Sequence, residues 1–248
     1  KIVGDRIRER LELLVGGEQV GVGFLQARGA LCQIRLACLQ VGHELLQIGV
    51  ERLDFGDAFV ADMSSDGRRI VGTGNLQAVL WDDSRGIVEL GDLRDLTPGE
   101  QPWSFGAGIS ADGSVLVGKA RNEFDQFEAF RWSAESGMVG LGTLLAPGAP
   151  GAYSEASKVS ADGSTIVGWT SGDLGMTPFI WTEAAGMMPV GTLAGFQGPP
   201  AHLDFEFEMD VSGDGSIVVG TGFATEGAFI FSRAIGLQSL EGYLSIRG

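Results

Sequence analysis

The stretch ISADGSVLVGKA at residues 109–120 decides the fold, because three closely similar stretches occur elsewhere in the chain. They are MSSDGRRIVGTG at 63–74, VSADGSTIVGWT at 159–170 and VSGDGSIVVGTG at 211–222. In each copy an Asp-Gly pair separates two apolar runs, which is a strong short-range signal for a β-hairpin. The pair predicts a type I′ turn, since both central residues of that turn need positive φ. The predicted turn residues are Asp66, Gly67, Asp112, Gly113, Asp162, Gly163, Asp214 and Gly215.

Two further landmarks follow each Asp-Gly pair in constant order. The first is an aromatic residue that ends a short apolar run, with a Gly five residues after it. The second is a closing motif of the kind Leu-Gly-Thr-Leu. We interpret the aromatic residues as part of the core of each repeat; they are Trp81, Trp132, Trp181 and Phe231.

These landmarks divide each repeat into four short strands, and the repeats recur with a period of about 50 residues. Four antiparallel strands at that period are typical of a β-propeller blade. The predicted fold is therefore all-β, a β-propeller-like array of four four-stranded antiparallel repeats. A β-solenoid has shorter coils than this, and a plain sandwich would not explain the repetition. The predicted domain covers 57–248, with repeats at about 57–93, 104–144, 154–193 and 205–244.

Residues 1–56 form a separate, non-repeat segment. Apolar residues between Val20 and Ile48 follow a 4-3-4-3 spacing, which would give one apolar stripe on a helix. Four Gly residues within that stretch, and Gly49 directly after it, oppose a helix, because each costs about 1 kcal/mol relative to Ala. Three interpretations stay open for this segment: a helical appendage, a set of strands, or a stretch that is not native to the protein.

The charge balance excludes nucleic acid as a partner. The net charge is −15, and a surface that binds phosphate backbones has to be basic. The excess lies wholly after residue 50, since residues 1–50 carry six Lys/Arg against five Asp/Glu. No run of 18 or more apolar residues occurs, so the sequence predicts no membrane-spanning helix.

The combination SADGSxxVG, AFxW and GMxxLGTL resembles the HAF-type extracellular repeat family of bacterial secreted and surface proteins, some of which carry autotransporter domains. The resemblance covers residues 57–244, and repeats two and three match best. Repeat one departs from the pattern at Arg68, Arg69 and Val79, and repeat four at Phe231 and Tyr243. The resemblance implies export to the bacterial cell surface or medium, and fusion to an autotransporter or anchoring domain absent from this chain. It implies no reaction, cofactor or catalytic residue.

The residues that carry chemistry are few. The two His residues lie far apart in the sequence, and no nucleophile, P-loop or zinc motif is present, so we expect neither an enzyme nor a cofactor. Loops between repeats are the natural binding surface of a propeller, and aromatic side chains there can stack on a ligand. The candidate ligand-binding residues are Trp103, Phe105, Tyr153, Phe196, His202 and Phe205. The stretch 202–210 alternates acidic and apolar residues, which places four carboxylates on one face of a strand. These candidate metal ligands are Asp204, Glu206, Glu208 and Asp210.

The sequence therefore favours a secreted or cell-surface scaffold that binds a protein or a glycan through its inter-repeat loops. One alternative is a hydrolase or lyase acting on polysaccharide, with Glu100, Glu155 and Asp204 as candidate carboxylates. A second alternative is a stalk or spacer within a larger surface protein.

Overall fold

The structure is a computed structural model that describes residues 59–172, 175–191, 209–221 and 228–245. The segment 1–56, and with it the three interpretations offered for it, lies outside the described residues. The same holds for several candidate site residues, which are Phe196, His202, Asp204, Phe205, Glu206 and Glu208.

Sixteen strands form four separate sheets of four strands each in the described part of the chain. Sheet 1 contains β1 (Phe59–Met63), β2 (Arg69–Gly74), β3 (Gln77–Asp82) and β4 (Gly86–Glu89). Sheet 2 contains β5 (Ser104–Ile109), β6 (Leu116–Arg121), β7 (Phe127–Ser133) and β8 (Gly137–Gly140). Sheet 3 contains β9 (Ser154–Val159), β10 (Thr165–Gly172), β11 (Gly175–Thr182) and β12 (Gly186–Pro189). Sheet 4 contains β13 (Met209–Val211), β14 (Ile217–Thr221), β15 (Ala228–Ser232) and β16 (Gly236–Ser239), and the short helix α1 (Leu240–Ser245) follows it.

Every sheet is an antiparallel meander in which the strands keep their order along the chain. The first strand of each sheet packs against the sheet before it: β5 on sheet 1, β9 on sheet 2 and β13 on sheet 3. The first strands are thus the innermost ones, and the sheets follow one another like the blades of a propeller. This confirms the predicted fold class.

The Asp-Gly turn differs from the predicted type I′ turn. In sheet 2 the N–H of Gly113 donates to the carbonyl of Ser110 at 2.9 Å, which closes a four-residue turn. Gly113 has a φ of 72°, but Asp112 does not have positive φ, and the other three copies behave in the same way. The type I′ prediction is wrong because the left-handed residue follows the turn instead of forming its centre. Positive φ at both central residues occurs instead between β2 and β3, at Asn75 and Leu76.

Hydrogen bonds to the Asp explain why Ser flanks it in this motif. In sheet 2 the Oδ1 atom of Asp112 accepts from the hydroxyl of Ser110 at 2.7 Å and from the N–H of Ser114 at 2.9 Å. The Ser110 hydroxyl is buried and also accepts from the N–H of Val115 at 3.0 Å. The bonds from Ser114 and Ser110 hold the pKa of the Asp112 carboxyl below its usual value. The other three turns repeat this arrangement.

A second Gly of the motif permits close approach of the innermost strand. A Cβ atom added to Gly118 in β6 would lie 1.9 Å from the carbonyl oxygen of Phe105 in β5. Gly72 and Gly168 stand in the same relation to β1 and β9, where the corresponding distances are 2.1 and 2.0 Å. All three innermost strands carry a register shift at this point, so the close approach belongs to a β-bulge.

The hydrophobic core lies in the layers between successive sheets. Besides Trp169 in β10, the fully buried aromatic side chains of the described residues are Phe130, Phe179 and Phe229, each two residues before the predicted aromatic landmark. Trp132, Trp181 and Phe231 are partly buried and pack against the same layers.

Candidate binding site

The two ends of the sheets differ. One end, which we call the turn end, carries the Ser-Xaa-Asp-Gly turns. The opposite end, which we call the loop end, carries the long connections 90–103 and 141–153 that lead from one sheet to the next. Trp103 and Tyr153 are the last residues of these two connections. Phe105 lies in β5 and not in an inter-repeat loop, which corrects its assignment as a loop residue.

Three of the predicted aromatic residues meet at the loop end around a fourth ring. The ring centroid of Phe127 lies 5.7 Å from that of Trp103, 5.9 Å from that of Phe105 and 6.5 Å from that of Tyr153. The Trp103 and Tyr153 rings stand edge-to-face with Phe127, a favoured arrangement of aromatic pairs. We call these four side chains the aromatic cluster. It joins sheet 2 to the start of sheet 3.

A lysine lies at the centre of the aromatic cluster. The ammonium nitrogen of Lys119 is 5.5–5.6 Å from the ring centroids of Phe105, Phe127 and Tyr153. It also donates to the hydroxyl of Tyr153 at 2.9 Å and to Oε2 of Glu155 at 2.7 Å. The Tyr153 hydroxyl donates to the same carboxylate oxygen at 2.5 Å. Cation–π attraction and the ion pair therefore hold this side chain in one place.

An arginine covers one face of the exposed tryptophan. The guanidinium carbon of Arg121 lies 4.1 Å from the Trp103 ring centroid and 5.4 Å from that of Phe127. Arg121 also donates to Oδ1 of Asp125, and this hydrogen bond is the largest cause of the lowered pKa of that carboxyl. The Nε of Arg121 is buried and has no hydrogen-bond partner among the described residues.

A buried carboxylate anchors the backbone of this surface. Oδ2 of Asp92 accepts from the N–H of Trp103 at 3.0 Å and from the guanidinium of Arg94 at 2.8 Å. The Asp92 side chain has no exposed surface, whereas Arg94 reaches onward to Asp125 at 3.5 Å. The position of Trp103 is thus fixed by hydrogen bonds as well as by ring contacts.

The exposed apolar side chains at the loop end include Leu76, Trp103 and Phe124. Leu76 is adjacent to the cluster, since its carbonyl accepts from the N–H of Ser104 at 2.9 Å. Phe124 lies in the turn between β6 and β7, three residues after Arg121. Trp103 belongs to the aromatic cluster and carries Arg121 over its ring, and Leu76 and Phe124 are further exposed apolar side chains at this end.

Sequence reasoning missed Phe127, Lys119 and Arg121. The last residues of β6 alternate in burial, and this pattern marks Lys119 and Arg121 as lying on one face of the strand. Which residues they face depends on how sheet 3 packs on sheet 2. The sequence of a single repeat does not contain that information.

The candidate metal ligands are represented in the described residues by Asp210 alone. It lies in β13, is exposed, and its Oδ1 accepts from the N–H of Val211 at 2.8 Å. Within the described ranges no group of three or more His, Cys, Asp or Glu side chains is placed to hold a metal ion.

At the turn end, sheet 1 carries an ion pair where the other sheets have Val, Thr or Ile. Arg69 donates to Oδ2 of Asp82 at 2.9 Å and to the carbonyl of Gly113 at 3.0 Å. Asp82 is buried, and hydrogen bonds from Ser84 first, then from Arg69, lower its pKa to about 2. The pair therefore ties the turn of sheet 2 to sheet 1. It accounts for Arg69, one of the three departures of repeat one from the repeat pattern.

The described residues define a propeller-like repeat protein with one aromatic cluster at its loop end. Solved structures with a related arrangement include TolB from Acinetobacter baumannii, with 13% identity over 74% of this chain and 43% of that chain and a TM-score of 0.49. Hydrazine synthase from Kuenenia stuttgartiensis is 15% identical over 77% of this chain and 50% of that chain, with a TM-score of 0.41. Prolyl oligopeptidase B from Galerina marginata is 14% identical over 73% of this chain and 26% of that chain, with a TM-score of 0.45. This chain thus spans half or less of each of these proteins, and none of their properties is transferred to it.

No protein-family model and no curated protein matches the chain. Among the described residues, no helix combines the length and the apolar character needed to cross a bilayer.

Proposed function

We propose that this chain is a bacterial extracellular or cell-surface scaffold of the HAF repeat type, and that it binds a partner at its loop end. The observation that carries the proposal is the aromatic cluster, in which an exposed Trp103 is held in place by Phe127, Arg121 and Asp92. A fixed side chain loses little conformational entropy when a partner binds, so its contact area contributes to affinity almost undiminished.

The chemistry of the surface favours a protein partner. Trp and Arg are the side chains that most often dominate the energy of protein interfaces, and exposed Leu76 and Phe124 add apolar area beside them. A glycan is the other partner class, because a Trp face and nearby carboxylates such as Asp125 also suit sugar rings and hydroxyl groups.

The hydrolase alternative has less support from the described carboxylates. Glu155 is engaged by both Lys119 and Tyr153. The backbone N–H and the hydroxyl of Thr97 lower the pKa of Glu100, whereas a general acid needs a raised pKa. Asp204 lies outside the described residues. The proposal accordingly assigns no catalytic role to this chain.

The test is a binding screen with matched variants. The full chain is applied to a displayed peptide library, a panel of purified surface proteins and a glycan array, beside Trp103→Ala and, as control, Met188→Ala. Met188 is an exposed apolar residue on the outermost strand β12, with 51% of its surface exposed against 37% for Trp103. We expect a protein ligand whose affinity falls at least tenfold in Trp103→Ala and is unchanged in Met188→Ala.

A ligand found only on the glycan array would change the partner class and keep the site. A ligand that binds Trp103→Ala and Phe124→Ala as tightly as the unaltered chain would overturn the site. Circular dichroism and thermal unfolding of each variant separate a loss of binding from a loss of folding.

A further inference from the structure

The two outermost sheets of the array each expose an apolar residue at a position that is buried everywhere else. Val219 in β14 of sheet 4 is 37% exposed, whereas its equivalents Val71, Val117 and Val167 have no exposed surface. Each of these three side chains belongs to the core layer between its own sheet and the next one. Sheet 4 has no following sheet in the part of the chain that the structure describes.

Sheet 1 shows the complementary feature on its innermost strand. Val60 in β1 is 43% exposed. In the later sheets the same register position is held by Gly106, Ala156 and Met209, and all three are buried against the preceding sheet. The contact is direct in the first layer, where a Cβ atom on Gly106 would lie 2.7 Å from a methyl carbon of Val71.

The backbone of the turns continues the same pattern. The N–H of Ser65 donates to the carbonyl of Ala111 at 2.9 Å, and the N–H of Ala111 donates to the carbonyl of Ala161 at 3.0 Å. In sheet 3 the N–H of Asp162, one residue later in its turn, donates to the carbonyl of Gly213 in sheet 4 at 3.4 Å. Each turn thus donates to the turn of the next sheet. If the same pattern continued into another copy of the array, the turn of sheet 4 would donate to the turn of sheet 1 in that copy.

From this geometry we propose that the chain associates head to tail with a second copy of itself. Sheet 4 of one copy takes sheet 1 of the other, so that Val219 packs on Val60 as Val167 packs with Met209 inside one chain. Ile217, which is exposed beside Val219, lies over the turn that contains Gly67 of the second copy, as Val115 lies over Gly163. The occupant is a second copy because sheet 1 of this same sequence has the two features that the exposed face of sheet 4 would contact. These are the exposed Val60 and the turn that contains Gly67.

Helix α1 is compatible with this arrangement. It packs on β15 and β16, the outer strands of sheet 4, and leaves β14 uncovered. The layer between sheets 3 and 4 is also made by inner strands, since β13 contacts β9 and β10. Strand β1 of a second copy would therefore pack on β14, the part of sheet 4 that α1 leaves uncovered.

The experiment measures the mass of the full 248-residue chain by sedimentation equilibrium over a range of concentrations. We expect reversible association that is weakened at least tenfold by Val219→Glu and, separately, by Val60→Lys, because each variant places a charge in an apolar layer. Val139→Glu on the exposed outer strand β8 serves as the matched control and leaves the association unchanged. An equimolar mixture of Val219→Glu and Val60→Lys forms a mixed dimer, since sheet 4 of the Val60→Lys chain and sheet 1 of the Val219→Glu chain are both unaltered and pair as in the original chain.

A chain that stays monomeric at a concentration of several hundred micromolar overturns the proposal. Association that is equally strong in Val219→Glu and Val60→Lys overturns it as well, because the contact must then lie elsewhere. Both substitutions are at exposed positions, so unchanged thermal unfolding of the monomer is expected and shows that the variants are folded.

Discussion

Replacement of Gly118 by Ala tests the central claim about the repeat, namely that the motif Gly lets the innermost strand approach its neighbour. The added Cβ atom would lie 1.9 Å from the carbonyl oxygen of Phe105 and 2.9 Å from the Phe130 ring. An ordinary carbon–oxygen contact is about 3.2–3.4 Å, so β5 or β6 has to shift by more than 1 Å. Overpacking of a core costs about 1–3 kcal/mol, and a shift of this size also weakens the hydrogen bonds at the bulge, each contributing about 1 kcal/mol. We expect Gly118→Ala to lower the free energy of unfolding by about 3 kcal/mol or more.

Urea unfolding followed by circular dichroism measures this change, and Gly172→Ala provides the matched control. Gly172 also lies in a second strand, β10, but the nearest atom to a Cβ added there is 3.4 Å away, an ordinary contact. The control is expected to stay within about 1 kcal/mol of the unaltered chain. A Gly118→Ala variant that unfolds within 1 kcal/mol of the unaltered chain would refute the explanation of the motif Gly.

Three further predictions concern charged groups. The pKa of Asp82 is about 2 in the folded chain against an ordinary value of 3.8, so its ionised carboxylate stabilises the fold by at most about 2 kcal/mol. This stabilisation is complete above pH 4 and is lost as the pH falls to 2. Asp82→Asn should therefore reduce the change in the free energy of unfolding between pH 4 and pH 2. Lys158 of sheet 3 donates to Asp62 of sheet 1 at 2.9 Å, and a double-mutant cycle of Lys158→Met and Asp62→Asn should give a coupling of about 0.5–1 kcal/mol that 1 M NaCl reduces. Asp162→Ala removes the acceptor of the buried Ser160 hydroxyl and should cost about 1–2 kcal/mol in urea unfolding, whereas the same change at exposed Glu135 should cost less than 0.5 kcal/mol.

The architecture could be predicted because every repeat contains the same local signals. Asp-Gly pairs, apolar runs and a constant order of landmarks determine strand number and strand order within a sheet without knowledge of long-range contacts. The turn type could not be predicted in the same way. Type I′ geometry and the observed turn both accept Asp-Gly, and the choice between them depends on the hydrogen bonds that Ser110 and Ser114 make to Asp112.

The aromatic cluster was predictable only in part, because it lies where the repeats differ. The position of Lys119 in sheet 2 is occupied by Thr73, Trp169 and Thr221 in the other sheets. Because Lys119 does not recur, an alignment of the four repeats does not mark it as important. Its ammonium group nevertheless lies near the rings of Phe105, Phe127 and Tyr153. The predicted Trp103, Phe105 and Tyr153 were identified by residue type, and only the packing of sheet 3 on sheet 2 shows that they meet.

The ion pair between Lys158 of sheet 3 and Asp62 of sheet 1 also depends on how the sheets stack. Lys158 and Asp62 occupy one register position in sheets 3 and 1, and the residue at that position in sheet 2 is Gly108. A Cβ atom on Gly108 would lie 3.3 Å from the Cα atom of Lys158, so a larger side chain there would crowd the path of the lysine. Each residue is unremarkable within its own repeat. Their combination becomes visible only when the three sheets are stacked.

The loop-end site and the proposed self-association use different parts of the array, so each can be tested without the other. The aromatic cluster lies between sheets 2 and 3, whereas Val60 and Val219 lie on sheets 1 and 4. A head-to-tail dimer would leave both copies of the cluster accessible and would hold them at a fixed separation. Two linked sites bind a partner that displays repeated epitopes more tightly than either site does alone. Apparent affinity for such a partner should therefore fall in Val219→Glu, while affinity for a single soluble epitope, measured by calorimetry, stays the same. A single-epitope affinity that also fell would show that the two features are coupled through the fold, contrary to the structure.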